Sequence, residues 1–168
     1  MTESQSAPQP TGWLNRQDGG RDLVFTRSFA TSVDNVWASI TDSDRTARWF
    51  ASWTGVPGPG NTIRYTMTFE EGAPQGDMVI DVCDPPAHLA VTTVDEYGTW
   101  RLEAKLTQGD GATVLTLIHH LDESADIGSV GPGWEYYLDM LVAAEAGDTL
   151  PDFGDYYPAQ RAYYEGLS

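Results

Sequence analysis

Histidine is the side chain best suited to moving protons near neutral pH, and the chain has three: His88, His119 and His120. His119 and His120 adjoin within a stretch from Thr113 to Leu121 that alternates Leu115, Leu117 and His119 against Val114, Thr116 and Ile118. On a strand, neighbours point to opposite faces, so the two imidazoles cannot grip one metal without a bend. His119 falls on the apolar face. There it is either a hydrogen-bonded cavity histidine, or a polar anchor or general acid/base toward a bound molecule. Glu145 ends an apolar helical stripe. It either reaches solvent or turns inward beside His119 to form a carboxylate–imidazole pair.

Other positions resolve more simply. Asp42-Ser43-Asp44 could meet a cation, but helix capping accounts for it. Glu70-Glu71 sits at a turn, and Arg64 and Arg101 alternate outward. Cys83 gains no thiolate stabilisation from Asp84. Gly55, Gly58 and Gly60 are interleaved with prolines that lack N–H donors, and no Lys-Ser/Thr follows. They read as a pocket mouth rather than a phosphate cradle. No Gly-x-Ser-x-Gly elbow occurs. No catalytic residue, metal-ligand set or cofactor is assigned from these positions.

Period-two and helical patterns supply the frame. Residues 1–20 read as a flexible tail rich in Gln, Ser, Pro and Gly, with Trp13 and Leu14 able to dock. Leu23 to Phe29 reads as a strand. Ser32 caps a helix carrying Val33, Val36, Trp37 and Ile40, and a short helix spans Arg45 to Phe50. Five strands follow: Thr62–Phe69, Gln75–Cys83, Leu89–Val94, Thr99–Leu106 and Thr113–Leu121. In the first, Ile63, Tyr65, Met67 and Phe69 share a face; in the second, Met78, Ile80 and Val82 do. Short turns between strands imply an antiparallel meander. Pro132 suits the start of a long helix with Trp134, Leu138 and Leu141 on one stripe, ended by Gly147. Residues 148–168 form an aromatic extension with Tyr156, Tyr157, Tyr163 and Tyr164. Left uncovered, these rings would make a large exposed patch, suited to a protein partner or a homodimer. The fold class is α+β: a curved antiparallel sheet of about six strands around a long C-terminal helix, with a cavity between them.

Composition removes other classes. The 168 residues carry 9 Lys+Arg against 25 Asp+Glu, net −16. Residues 1–60 hold 5 basic and 6 acidic side chains, residues 61–168 hold 4 and 19. Nucleic acid and anionic lipid would be repelled. An acidic surface serves solubility, a salt-adapted host or a basic partner protein. No apolar run is long enough to span a membrane. One cysteine and no leader-like start make a cytoplasmic location the expectation.

Four segments then resemble one family. They are Ser32 to Asp42 with Arg48-Trp49-Phe50, Gln75 to Leu89 with its double proline, Thr113 to His120, and Gly133-Trp134 through Leu141. Their order and spacing are similar to the START-like helix-grip (SRPBCC, polyketide-cyclase-like) superfamily, in the branch named after the activator of heat-shock-chaperone ATPase. The resemblance covers about residues 22–147, and the domain is taken as 21–147. It implies a hydrophobic pocket for a small or lipid-like molecule. Relatives include cyclases, aromatases, hydrolases and carriers, and the branch name does not establish chaperone binding.

Alternation and resemblance together place Tyr65, Met67, Trp100, Leu117, His119, Trp134, Leu138 and Leu141 on the pocket wall. Three functions stay open: binding of a small hydrophobic ligand, a cyclase or hydrolase using His119, and a protein-interaction module in stress response or chaperone regulation.

Overall fold

A computed structural model describes residues 7–17, 20–96, 98–122 and 124–167. The elements run β1 (Trp13–Gln17), β2 (Gly20–Phe29), α1 (Val33–Thr41), α2 (Ser43–Thr46), β3 (Ser52–Thr54), β4 (Thr62–Thr66), β5 (Gln75–Asp84), β6 (His88–Asp95), β7 (Gly98–Gln108), β8 (Thr113–Leu121), α3 (Ile127–Ala146), a 3-10 turn (Phe153–Asp155) and α4 (Arg161–Glu165). The eight strands among the described residues form one antiparallel sheet in the order β1-β2-β8-β7-β6-β5-β4-β3. The chain enters at one edge, crosses by α1 and α2 to the other, and returns as a meander that closes β8 onto β2. The fold is the α+β helix grip, with eight strands rather than six.

The two extra strands lie at the sheet edges. Residues 13–17, read from sequence as tail, pair with β2. Residues 52–54 are too short to show a period and pair with β4. Two boundaries differ: the helix expected over residues 45–50 is α2 at Ser43–Thr46 with a turn after it, and the strand expected over residues 62–69 ends at Thr66, where a turn carrying Gly72 at positive φ takes Phe69 out of the ladder. Ser32 caps α1 by accepting from the Asn35 amide at 3.2 Å. β5 departs from clean alternation: a bulge between Ile80 and Val82 turns Val82 outward and brings Cys83 toward the interior.

Helix α3 begins more than a turn before Pro132. Gly128, Gly131, Pro132 and Gly133 read locally as a break, but packing overrides propensity here. A Cβ on Gly131 would meet Cγ of Tyr164 at 2.3 Å, so α4 lies directly against the helix backbone. Gly131→Ala should therefore displace Tyr164 and cost about 1–3 kcal/mol. Denaturant melts would measure the loss, and unchanged stability would mean that α4 is not seated there.

The aromatic extension packs on its own domain. Tyr156 and Tyr164 are buried, while Tyr163 and Phe153 stay 41% and 44% exposed. Most of the patch anticipated for a partner or second copy is thus covered by α3 itself. The main core joins Leu23, Phe25 and Phe29 of β2, Leu102 and Leu106 of β7, Leu115 and Leu117 of β8, and Trp134, Leu138 and Leu141 of α3. A smaller cluster of Ile63, Met78 and Ile80 lies under β4 and β5. Strands sit about 4.8 Å apart and a helix is only about 10 Å across, so one helix cannot cover eight strands. The uncovered part of the concave face becomes a cavity.

Candidate ligand cavity

The cavity encloses about 800 Å³ and borders both apolar clusters, with Met78 on one side and Leu102 and Trp134 on the other. Its walls are aromatic. Tyr65 and Trp100 come from the sheet, Phe50 from the turn after α2, Trp134, Tyr136 and Tyr137 from the middle of α3, Phe69 from a turn and Phe153 from the 3-10 turn. The rings brace one another. Trp100 stacks on His119 with centroids 5.0 Å apart, and Phe50 meets the edge of Tyr137 at 5.2 Å. Such contacts hold ring positions and keep the walls open.

His119 is 2% exposed. Trp134 donates its indole N–H to His119 Nδ1 at 3.1 Å. An indole N–H can only donate, so the neutral ring carries its proton on Nε2. Burial, with a smaller contribution from the charge of neighbouring His120, pushes the His119 pKa down to about 4. At neutral pH the cavity therefore holds an uncharged imidazole with one free donor. Tyr65 is less free, because its hydroxyl is 3.1 Å from that of Thr93.

Five of the eight expected wall residues line the cavity: Tyr65, Met67, Trp100, His119 and Trp134. Leu117, Leu138 and Leu141 do not; all three are buried in the main core. Leu117 is two residues before His119, about 7 Å further along the strand. Leu138 and Leu141 lie one and two turns beyond Trp134, where α3 meets the sheet and leaves no space. The wall also includes Gly133 and Tyr136, and Ser129 and Val130 from the first helix turn, which local glycines had concealed.

The remaining polar candidates fall elsewhere. Glu145 turns inward, but to Arg45 of α2 at 2.8 Å and to Asn35 and Ser39 of α1, not to His119. His120 points outward. Its ring nitrogens meet Asp22 at 2.8 Å and Glu103 at 2.5 Å, and Glu103 also meets His88 at 2.8 Å. Partial burial lowers the His120 pKa, but the bonds to Glu103 and Asp22 outweigh it and the net direction is up. A raised folded-state pKa stabilises the fold fully below the unfolded value of 6.5, and the gain is lost as pH rises through the folded value. The stability difference between wild type and His120→Gln should thus be larger in mild acid than in mild alkali, by urea melts. A pH-independent difference would refute the pairing. Among the described residues no group of three or more His, Cys, Asp or Glu is arranged to hold a metal. No described helix is long and apolar enough to cross a membrane.

A profile of the activator of Hsp90 ATPase homolog 1-like protein family matches residues 30–145, well over half of the chain. The chain belongs to this family. All four sequence segments that suggested the branch fall at least in part within the match. Solved structures share the helix-grip fold with this family member. CalU16 from Micromonospora echinospora superposes with a TM-score of 0.73 at 22% identity, covering 95% of this chain and 96% of that one. The protein encoded by BPP1335 of Bordetella parapertussis gives 0.73 at 24% identity, covering 98% and 94%. DynU16, a protein in the dynemicin biosynthetic locus, gives 0.66 at 23% identity, covering 82% of this chain and 50% of that one. No curated protein matches in sequence.

Proposed function

We propose that this protein binds a small, flat, hydrophobic molecule in the cavity between the sheet and α3, with His119 as its polar anchor. The single observation that carries this reading is the aromatic-walled 800 Å³ cavity with a buried His119 at its wall. The volume is within the range of small-molecule sites, and most of the wall surface is apolar, as in such sites. Apolar wall area supplies affinity by desolvation. The Nε2–H of His119 supplies orientation, by donating to a carbonyl or similar acceptor on the ligand.

His119 is better fitted to holding a ligand than to acid–base chemistry. A group that stays uncharged down to about pH 4 is poorly matched to proton transfer near neutrality.

Fluorene and fluorenone test the anchor, because they differ by one carbonyl. Quenching of tryptophan fluorescence would report binding, since Trp100 and Trp134 are in the wall. Fluorenone should bind about threefold to tenfold more tightly than fluorene, the range of one net hydrogen bond. His119→Phe should erase that gap while fluorene still binds. Native mass spectrometry of gently purified protein would identify a natural ligand as an added mass lost on denaturation. Failure of both probes, with a clean apo mass, would remove the binding role.

A further inference from the structure

The cavity has a sign as well as a shape. Five carboxylates line it: Glu70, Glu71, Asp95, Asp122 and Asp126. No Arg or Lys is among its described lining residues. Several of these acids are engaged: Glu70 accepts from the Tyr137 hydroxyl at 2.8 Å, Asp95 from the Trp100 indole at 2.9 Å, and Asp126 pairs with Arg161 at 3.2 Å. None of these bonds brings a basic side chain into the lining.

A solvated acidic rim alone would imply nothing. The pointer to a ligand comes from the deep wall. His119 is 98% buried, its Nδ1 is occupied by Trp134, and its Nε2 has no partner among the described residues. It is also neutral, so the interior offers no positive charge to an anionic ligand. Resting on the binding role proposed for this cavity, we infer that it is selective for an aromatic cation, whose flat body lies along Trp100 and Trp134 and whose amine sits at the mouth beside Glu71 and Asp122.

Three effects act in the same direction there. The low-dielectric wall strengthens attraction to a cation and repulsion of an anion. Tyr136, Tyr137 and Phe153 also line the cavity, and aromatic rings attract an ammonium group by cation–π contact. The net charge of −16 draws cations toward the protein at long range.

A matched set of anthracenes tests this, carrying an aminomethyl, a hydroxymethyl or a carboxylate group on the central ring. The charged amine should bind about tenfold or more tightly than the neutral alcohol, and the carboxylate most weakly. Added salt and the double variant Glu71→Gln/Asp122→Asn should each narrow the gap. Equal affinity for amine and alcohol, or tightest binding of the carboxylate, overturns the charge selectivity and leaves the binding role standing. Failure of all three overturns both. Gly133→Trp, which places an indole inside the cavity, separates the cavity from the acidic surface: amine binding unchanged by it overturns the inference.

Discussion

Replacing Glu135 with alanine should destabilise the protein by roughly 3–5 kcal/mol and release both ends of the chain. Glu135 is 1% exposed within α3. One carboxylate oxygen accepts from Arg27 at 2.8 Å and from the Thr11 hydroxyl at 2.6 Å. The other accepts from the Tyr164 hydroxyl at 2.7 Å and from the Thr11 amide. Arg27 reaches on to Asp139 at 2.9 Å, and Tyr156 donates to Asp139 at 2.7 Å. One buried carboxylate therefore ties β2, the segment before β1, and α4 to the same turn of α3. Truncating it removes one of the two carboxylates that balance the mostly buried Arg27, leaving Asp139, Thr11 and the Thr26 carbonyl as its partners, and it strips the Thr11 amide and the Tyr164 hydroxyl of a buried acceptor, so several desolvation costs add.

Two controls separate charge from packing. Glu135→Leu paired with Arg27→Leu removes both charges together and should recover most of the loss. Acid supplies the second control. Burial raises the Glu135 pKa, but bonds from Thr11, Arg27 and Tyr164 outweigh it and hold the group below its ordinary 4.5. A depressed folded-state pKa gives stability that is present above 4.5 and lost as pH falls through the folded value. The gap between wild type and Glu135→Ala should therefore close in acid. Urea melts measure both effects, and limited proteolysis after Gly147 reports release of the extension. A loss below about 1 kcal/mol would show that apolar burial, not this network, holds the ends.

The frame was legible because it is periodic. Five strands and the core stripe of α3 follow from alternation and three-to-four-residue recurrence, as does Ser32 as a cap. Short edges were not legible, since three residues at Ser52–Thr54 cannot display a period. The start of α3 was hidden for another reason. Gly128 and Gly131 lower helix propensity, yet they are what lets Tyr164 and Glu165 approach the backbone. Read as a stripe, Gly128, Gly131 and Glu135 recur at i, i+3 and i+7, so one face of small residues marks a close neighbour. That spacing was the available clue to Glu135. The cavity wall divided in the same way. Alternation gives which face is inward, and so points to His119, Tyr65 and Trp100, which line the cavity. Distance along that face is a tertiary quantity, and it decided that Leu117, Leu138 and Leu141 belong to the core.

Gly133→Trp should abolish ligand binding and leave the fold intact. Gly133 lines the cavity, and a Cβ placed on it meets nothing within 4 Å. The position is inside α3, where replacing glycine with any residue but proline improves helix propensity by up to about 1 kcal/mol. The substitution thus fills space without straining the backbone, unlike one at Gly131. An indole at this position competes for the space beside Trp134 in which a flat tricyclic ligand would lie. Affinity for fluorene or the aminomethyl anthracene should fall by at least about a hundredfold, the loss of most of the desolvation that drives binding. Gly133→Ala, adding only a methyl group, should bind nearly as wild type does, which excludes a backbone effect. Circular dichroism and a melt confirm the fold in each case. Should the tryptophan variant be folded and still bind fluorene at wild-type affinity, the ligand does not enter this cavity.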